Sequence, residues 1–141
     1  MDTGPNDSSK TVPAPYNAAS SGGSNLGPTS KSLMDRLTMD RSSLEMAEPD
    51  LVGKLLPADM LTTSASGLDP DISPANALLQ AVRVAYARGI PIAQVSDLVR
   101  QHITGRSLRI FGEPRVNVLA LNLALQHAAA RPREARTEPA R

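Results

Sequence analysis

Cysteine is absent from this chain of 141 residues, which excludes disulfides, thiolate metal sites and cysteine-based catalysis. Aromatic residues are nearly absent as well, since the sequence holds one Phe, two Tyr and no Trp. The core must therefore be aliphatic, and few rings are available for stacking on bases, sugars or flavins. The 15 basic and 14 acidic residues almost cancel, so no strong field attracts nucleic acid, and no nucleic-acid partner is predicted.

Long apolar runs are also missing. The longest candidate, residues 116–125, is interrupted by two asparagines and is shorter than the roughly 20 residues that cross a bilayer. The first ten residues show neither the basic region nor the apolar region of a secretion signal. We therefore expect a soluble chain with no transmembrane segment and no signal of its own.

Composition divides the chain into three parts. Residues 1–14 form a polar lead with too few large apolar side chains to offset their ordering entropy, so we expect them to be flexible. Residues 15–127 have the length of one globular domain with a sizeable core. Residues 128–141 form a charged tail that contains proline, and this tail is predicted to be disordered.

The clearest helix is predicted over residues 74–88. Ser73 can cap its first turn, Pro74 suits the first helical position, and Gly89 suits the position just after the last turn. Apolar spacing then predicts which side chains face the core of the domain. They are Leu78, Val82 and Ala85.

Apolar periodicity predicts three more helices. They cover residues 31–46, 91–103 and 114–125. The last of them is ambiguous because its apolar residues also alternate as in a strand, but Pro114 at a first helical position favours helix. Short strands are predicted at residues 60–63 and 107–111. These elements together predict an α+β fold, a small domain of about four helices with a short, small β-sheet.

No catalytic residue and no metal ligand emerges from the sequence. The only histidines, His102 and His127, lie on different predicted elements, and no cysteine is available to complete a metal site. No Gly-x-Ser-x-Gly motif marks a nucleophilic serine. Asp69 and Asp71 stand two residues apart in a proline-rich turn, where hydrogen bonding within the turn and cap is favoured over acid–base catalysis.

One glycine- and serine-rich stretch could hold a phosphate. Ser21, Gly22 and Gly23 lie in a loop whose successive N–H groups could turn toward one anion. The stretch lacks the lysine of a P-loop, so a flexible surface loop is the favoured interpretation. Arg115 is predicted at the start of the last helix, where the helix dipole disfavours a cation. This position indicates a specific carboxylate or carbonyl partner.

Three segments, taken in order, resemble one protein family. They are residues 15–28 (Pro-Tyr-Asn-Ala-Ala-Ser-Ser-Gly-Gly-Ser-Asn-Leu-Gly-Pro), residues 63–74 (Thr-Ser-Ala-Ser-Gly-Leu-Asp-Pro-Asp-Ile-Ser-Pro) and residues 112–125 (Gly-Glu-Pro-Arg-Val-Asn-Val-Leu-Ala-Leu-Asn-Leu-Ala-Leu). They are similar to the C subunit of the Kdp-type potassium-transporting ATPase of bacteria. Residues 79–89 also follow the family's helix pattern, except that Val82 stands where proline is usual.

The resemblance implies a non-catalytic accessory subunit of an ATP-driven potassium uptake system. Such a subunit would assist complex assembly and ATP binding by the ATPase subunit. Its partners would be a channel-like potassium-binding subunit and a P-type ATPase subunit, in a complex of the inner (plasma) membrane. The resemblance implies no tightly bound cofactor, only ATP shared with the ATPase subunit. The candidate nucleotide contacts are Ser21, Gly22, Gly23 and Gln80.

The start of the chain departs from that family. Its members begin with a transmembrane helix, and here a polar lead stands in that place. A wrong start, a truncation and a true divergence would each produce this difference. The alternative interpretation is therefore a truncated or divergent soluble paralogue that acts as a small nucleotide-binding protein.

Overall fold

The computed structural model describes residues 2–4, 7–12, 21–108 and 110–130. The chain divides into two compact units, residues 1–69 and residues 70–141. Their boundary lies inside the span 15–127 that the sequence assigns to one domain. The last helix of the second unit runs to Ala130. The remainder of the predicted disordered tail, residues 131–141, lies outside the described residues.

In the part of the first unit that the structure describes there are a pair of strands and three helical segments. Strands β1 (Asp2–Gly4) and β2 (Asp7–Val12) pair antiparallel. Helix α1 (Lys31–Ala47) is followed by 3₁₀ turns at Pro49–Leu51 and Ala58–Met60. A two-stranded pair by itself is only marginally stable in water, so its presence does not contradict flexibility. The flexibility expected for residues 1–14 stays a prediction.

Helix α1 confirms the predicted helix over residues 31–46. None of its side chains is fully buried, although Leu33, Leu37 and Leu44 are partly covered. The strand predicted at residues 60–63 is wrong. The carbonyl oxygen of Ala58 accepts the N–H groups of Leu61 and Thr62, so the chain turns back on itself there. Local hydrogen bonds satisfy this backbone, and no second strand is required.

The second unit confirms the predicted α+β class. Its strands β3 (Asp71–Ile72), β4 (Ile103–Thr104) and β5 (Arg115–Asn117) form one antiparallel sheet in the order β3-β5-β4. Around this sheet the second unit has helices α2 (Pro74–Arg88), α3 (Ile92–Gln101) and α4 (Val118–Ala130). With α1, the described residues therefore hold the four predicted helices, this small three-stranded sheet and the separate β1–β2 pair.

Helix α2 begins and ends where its capping residues predict. The Ser73 hydroxyl accepts the Asn76 N–H at 3.1 Å, and Pro74 occupies the first helical position. Gly89 ends the helix with a φ of 64°, a left-handed conformation that glycine adopts without the steric cost of a Cβ. The bounds of this helix are confirmed.

The predicted buried face of α2 is wrong in two of its three residues. Ala85 is buried, together with Ala77 and Ala81, whereas Leu78 and Val82 are exposed. Alanines spaced four residues apart line one face of the helix and permit a close approach to the neighbouring core. Sequence reasoning gave more weight to the larger aliphatic residues, which lie on the outer side.

Helix α3 is shorter than predicted, and α4 begins later. The His102 N–H donates to the carbonyl oxygens of Leu98 and Val99 and closes α3, so Ile103 is free to join β4. Residues 115–117 form β5 rather than the first helical turn. Asn117 caps α4, since its side-chain oxygen accepts the Ala120 N–H at 3.0 Å. The segment is therefore a strand and a helix in succession, first β5 and then α4, which explains why its apolar pattern was ambiguous.

The described residues of the segment 107–111, which are 107, 108, 110 and 111, do not form a strand of the sheet. Its two ends pair with each other instead, in an isolated bridge between Ser107 and Phe111. The two N–H···O bonds of this bridge measure 2.8 and 2.9 Å. The result is a small closed turn on the connection between β4 and β5.

The core of the second unit is aliphatic, as the composition predicts. Val116 of β5 is fully buried and sits among side chains from all three helices. The buried members of this cluster are Ala77, Ala81, Ala85, Val95, Val99, Val116, Leu121 and Leu125. The aromatic side chains of Tyr86 and Phe111 lie outside it and are exposed.

Candidate functional site

The predicted phosphate loop is paired with a second segment of the first unit. The Ser66 carbonyl oxygen accepts the Gly22 N–H at 3.1 Å and the Ser21 hydroxyl at 2.9 Å. Ser66 lies in a turn in which the Gly67 N–H donates to the Ser64 carbonyl oxygen at 3.2 Å. Residues 21–23 and 64–67 together form what we call the paired loop. The Gly22 amide is therefore engaged inside the protein.

Gly23 allows the two segments of the paired loop to approach each other closely. A Cβ atom at Gly23 would lie 3.0 Å from the carbonyl oxygen of Ala65 and 3.3 Å from its Cα. A Cβ atom at Gly22 would meet nothing within 4 Å. The structure thus gives one glycine a packing role that sequence reasoning missed. Whether the loop also binds a phosphate stays a prediction.

Gly23→Ala is expected to destabilise the paired loop by about 1–3 kcal/mol, because backbone atoms of Ala65 must move to admit the methyl group. Amide hydrogen exchange at Gly22 measures this directly, since its N–H bonds across the loop. Gly22→Ala adds the same methyl group in open space and is the matched control. Equal protection in both variants would contradict a packing role for Gly23.

The fourth candidate residue, Gln80, belongs to the second unit and forms part of a polar row along α2. Its side-chain nitrogen donates to the Asn76 side-chain oxygen at 2.7 Å, and its oxygen accepts from Arg83 at 2.7 Å. Asn76 is buried, so Gln80 satisfies one of its polar atoms. The sequence shows the i, i+4 spacing of Asn76 and Gln80, but the hydrogen bond between them was not predicted. A nucleotide contact by Gln80 stays a prediction.

Arg115 was predicted to have a carboxylate or carbonyl partner, and its partner is a carboxylate, although the residue lies on a strand and not on a helix. Its Nε is 2.7 Å from a carboxylate oxygen of Asp71, and the other oxygen accepts from the Asn117 side chain at 2.9 Å. Asp71 and Asn117 are also register partners in β3 and β5. The group ties the edge strand to the central strand. Sequence reasoning assigned Asp71 only to local turn bonding and missed these contacts.

The histidines have separate surroundings in this structure. The Nδ1 of His102 lies 2.8 Å from the Leu98 carbonyl oxygen at the end of α3, a helix-capping contact. His127 is exposed on α4. Within the described ranges, no three His, Cys, Asp or Glu side chains come together as metal ligands would.

The family model described as "K+-transporting ATPase, c chain" (KdpC) matches residues 5–127, which is most of the chain. The chain belongs to the KdpC family. Proteins named "Potassium-transporting ATPase KdpC subunit" are similar to it over nearly the same span. One from a Bradyrhizobium species is 63% identical over 124 residues, which are 88% of this chain and 60% of that protein. Those from Bradyrhizobium diazoefficiens and Methylobacterium nodulans are 61% and 57% identical over 127 residues, 90% of this chain and 62% of each relative.

The chain thus spans 60–62% of the length of these KdpC relatives. Two of the segments that carry the KdpC resemblance contain the structural elements described above. Residues 63–74 contain the turn of the paired loop, β3 and the cap of α2, and residues 112–125 contain β5 and most of α4. Among the residues that the structure describes, no helix is both long enough and apolar enough to cross a bilayer.

Proposed function

We propose that this chain serves as an accessory subunit of an ATP-driven potassium uptake complex. The observation that carries the proposal is the KdpC match over residues 5–127, together with relatives at 57–63% identity that are named as subunits of a potassium-transporting ATPase. The subunit would not catalyse the reaction itself. It would assist assembly of a channel-like potassium-binding subunit with a P-type ATPase subunit in the inner membrane.

The surface of the protein supports a role in docking. Large apolar side chains are exposed in both units, including Met39 in the first and Tyr86 and Phe111 in the second. Methionine and aromatic side chains are enriched at the sites where proteins bind one another. An accessory subunit needs such a surface, because association is driven largely by burial of apolar area.

Assistance with ATP binding is the finer part of the proposal. It would involve the paired loop, which presents Ser21, Gly22 and Gly23, and Gln80 on α2. Because the Gly22 amide already bonds to Ser66, a nucleotide would have to use other groups of the loop or displace this contact. ATP would be shared with the ATPase subunit and not held tightly by this chain.

Co-purification tests the proposal. We expect this chain, co-expressed with the channel-like and ATPase subunits of the same bacterium, to be recovered with both of them. We also expect it to support growth at low potassium and to lower the KM of the ATPase for ATP. Folded chain that is never recovered with either subunit would refute the accessory role. Recovery without any change in KM would refute only the assistance with ATP.

A further inference from the structure

The part of the first unit between the two sides of the paired loop forms a lobe of its own. Residues 24–63 leave the paired loop after Gly23 and return to it at Ser64. A Cβ atom at Gly23 would lie 3.3 Å from the Cα of Ala65, so the two ends of this stretch meet. We call residues 24–63 the α1 lobe, since α1 is its longest element. Because its ends are held together, the lobe can open without pulling the neighbouring chain apart.

Little apolar surface is buried inside the α1 lobe. The structure describes all of residues 24–63, and Leu51 is the one fully buried residue among them. The aliphatic core cluster lies wholly within residues 72–125. Regions with few buried apolar contacts open at a small part of the free energy that global unfolding requires. We therefore expect the α1 lobe to open more readily than the second unit.

The ends of α1 add little to its stability. Its N-cap residue, Ser30, makes no side-chain cap bond, and the helix has no acidic residue in its first turn and no basic residue in its last. Lys31 and Glu45 instead place charge of the unfavourable sign near the two ends of the helix dipole. Helices in proteins depend mainly on the packing of an apolar face, which in α1 is only partly covered.

Two arginines of α1 act in opposite directions on the closed lobe. The Nε atom of Arg36 is buried without a hydrogen-bond partner among the described residues, and a carboxylate oxygen of Asp40 lies 3.6 Å from it. Burying a donor without a hydrogen bond costs its hydration, which opening would restore. Arg41, in contrast, donates to Glu45 at 2.8 Å and to the Lys54 carbonyl oxygen at 3.4 Å. Arg41 therefore ties α1 to the turn that follows it.

We propose that the α1 lobe opens and recloses as a separate unit, hinged at the paired loop, while the second unit stays folded, and that Arg36 favours the open state. The inference does not rest on the proposed function and adds a conformational device to it. Thin packing and uncapped ends make opening inexpensive, and the joined ends of the lobe permit it. A molecule that binds only the closed lobe would hold it closed, because binding to one state shifts the equilibrium toward that state.

Amide hydrogen exchange of the full chain tests this opening. We expect the amides of α1 to exchange at least about 100-fold faster than those at the centre of α2, after correction for intrinsic rates. Amides of α1 that exchange as slowly as those of α2 would overturn the proposal.

Arg36→Met is expected to slow exchange in α1 about tenfold, because it keeps an aliphatic side chain and removes the donor that lacks a partner. Arg41→Met is the matched control on the same helix. It removes a guanidinium that has partners and should speed exchange in α1 about threefold. Unchanged or faster exchange in Arg36→Met would refute the role of Arg36.

Thr38→Pro tests whether the lobe is separate from the second unit. Proline in the middle of α1 removes a helical hydrogen bond and clashes with the preceding turn, so the lobe should stay open. The amides of α2 and the Gly22 amide should keep their exchange rates within about threefold. Leu79→Pro makes the corresponding change in α2 and should abolish slow exchange throughout the second unit. Loss of slow exchange from α2 in Thr38→Pro would show that the lobe and the second unit unfold together, which would overturn the proposal.

Discussion

Val116→Asp is expected to unfold the second unit. Val116 is fully buried in the central strand β5 and packs within the aliphatic cluster formed by α2, α3 and α4. A carboxylate there would lose its water and find no designed partner, at a cost of several kcal/mol. Domains of this size are stable by about 5–15 kcal/mol, so the substitution removes most or all of that margin.

Val82→Asp is the matched control, since it makes the same change at a valine of α2 that is 53% exposed. It should cost about 1 kcal/mol or less, because its carboxylate remains in water. Urea denaturation followed by far-UV circular dichroism compares the two variants. If Val82→Asp proved as damaging as Val116→Asp, the outer side of α2 would have to be its packed side.

Ala81→Leu is expected to destabilise the second unit by about 1–3 kcal/mol. Ala81 is 2% exposed in the middle of the alanine face of α2, where the helix approaches the core closely. A leucine there adds volume where none is available, so side chains must leave their preferred rotamers or the helix must shift. The effect has the opposite sign from what hydrophobicity alone would suggest, since leucine is the more apolar residue.

Ala87→Leu makes the same change on the same helix at an exposed position, and it should leave stability within about 0.5 kcal/mol. Thermal unfolding of both variants measures the difference. An Ala81→Leu variant as stable as the wild type would show that the alanine face has room for a larger side chain. That result would contradict close packing at this position.

Local chemistry made α2 predictable to the residue. Its cap, its first-turn proline and its terminal glycine act within a few positions, so the sequence contains all of the relevant information. The short strands were hidden for the opposite reason. Residues 71–72 form a strand only because they pair with residues 116–117, more than 40 positions away, and two residues carry no readable alternation.

The orientation of α2 and the contacts of the candidate site depend on tertiary packing, which the local sequence does not reveal. Leu78 and Val82 are larger than Ala77 and Ala81, and only the distance to neighbouring elements shows that small residues were needed. The position of Arg115 indicates a carboxylate or carbonyl partner, but the identity of Asp71 required the strand register. The sequence singles out the glycines of the paired loop, but it does not distinguish close packing from anion binding, because both favour glycine.

The placement of the rings outside the core determines how this protein can be followed in solution. Tyr86 and Phe111 are surrounded largely by water in the folded state, and tryptophan is absent. Intrinsic fluorescence from the second unit should therefore change little on unfolding. Leu125→Trp or a similar probe would disturb the aliphatic interior, so backbone signals such as amide exchange and far-UV dichroism are the faithful reporters.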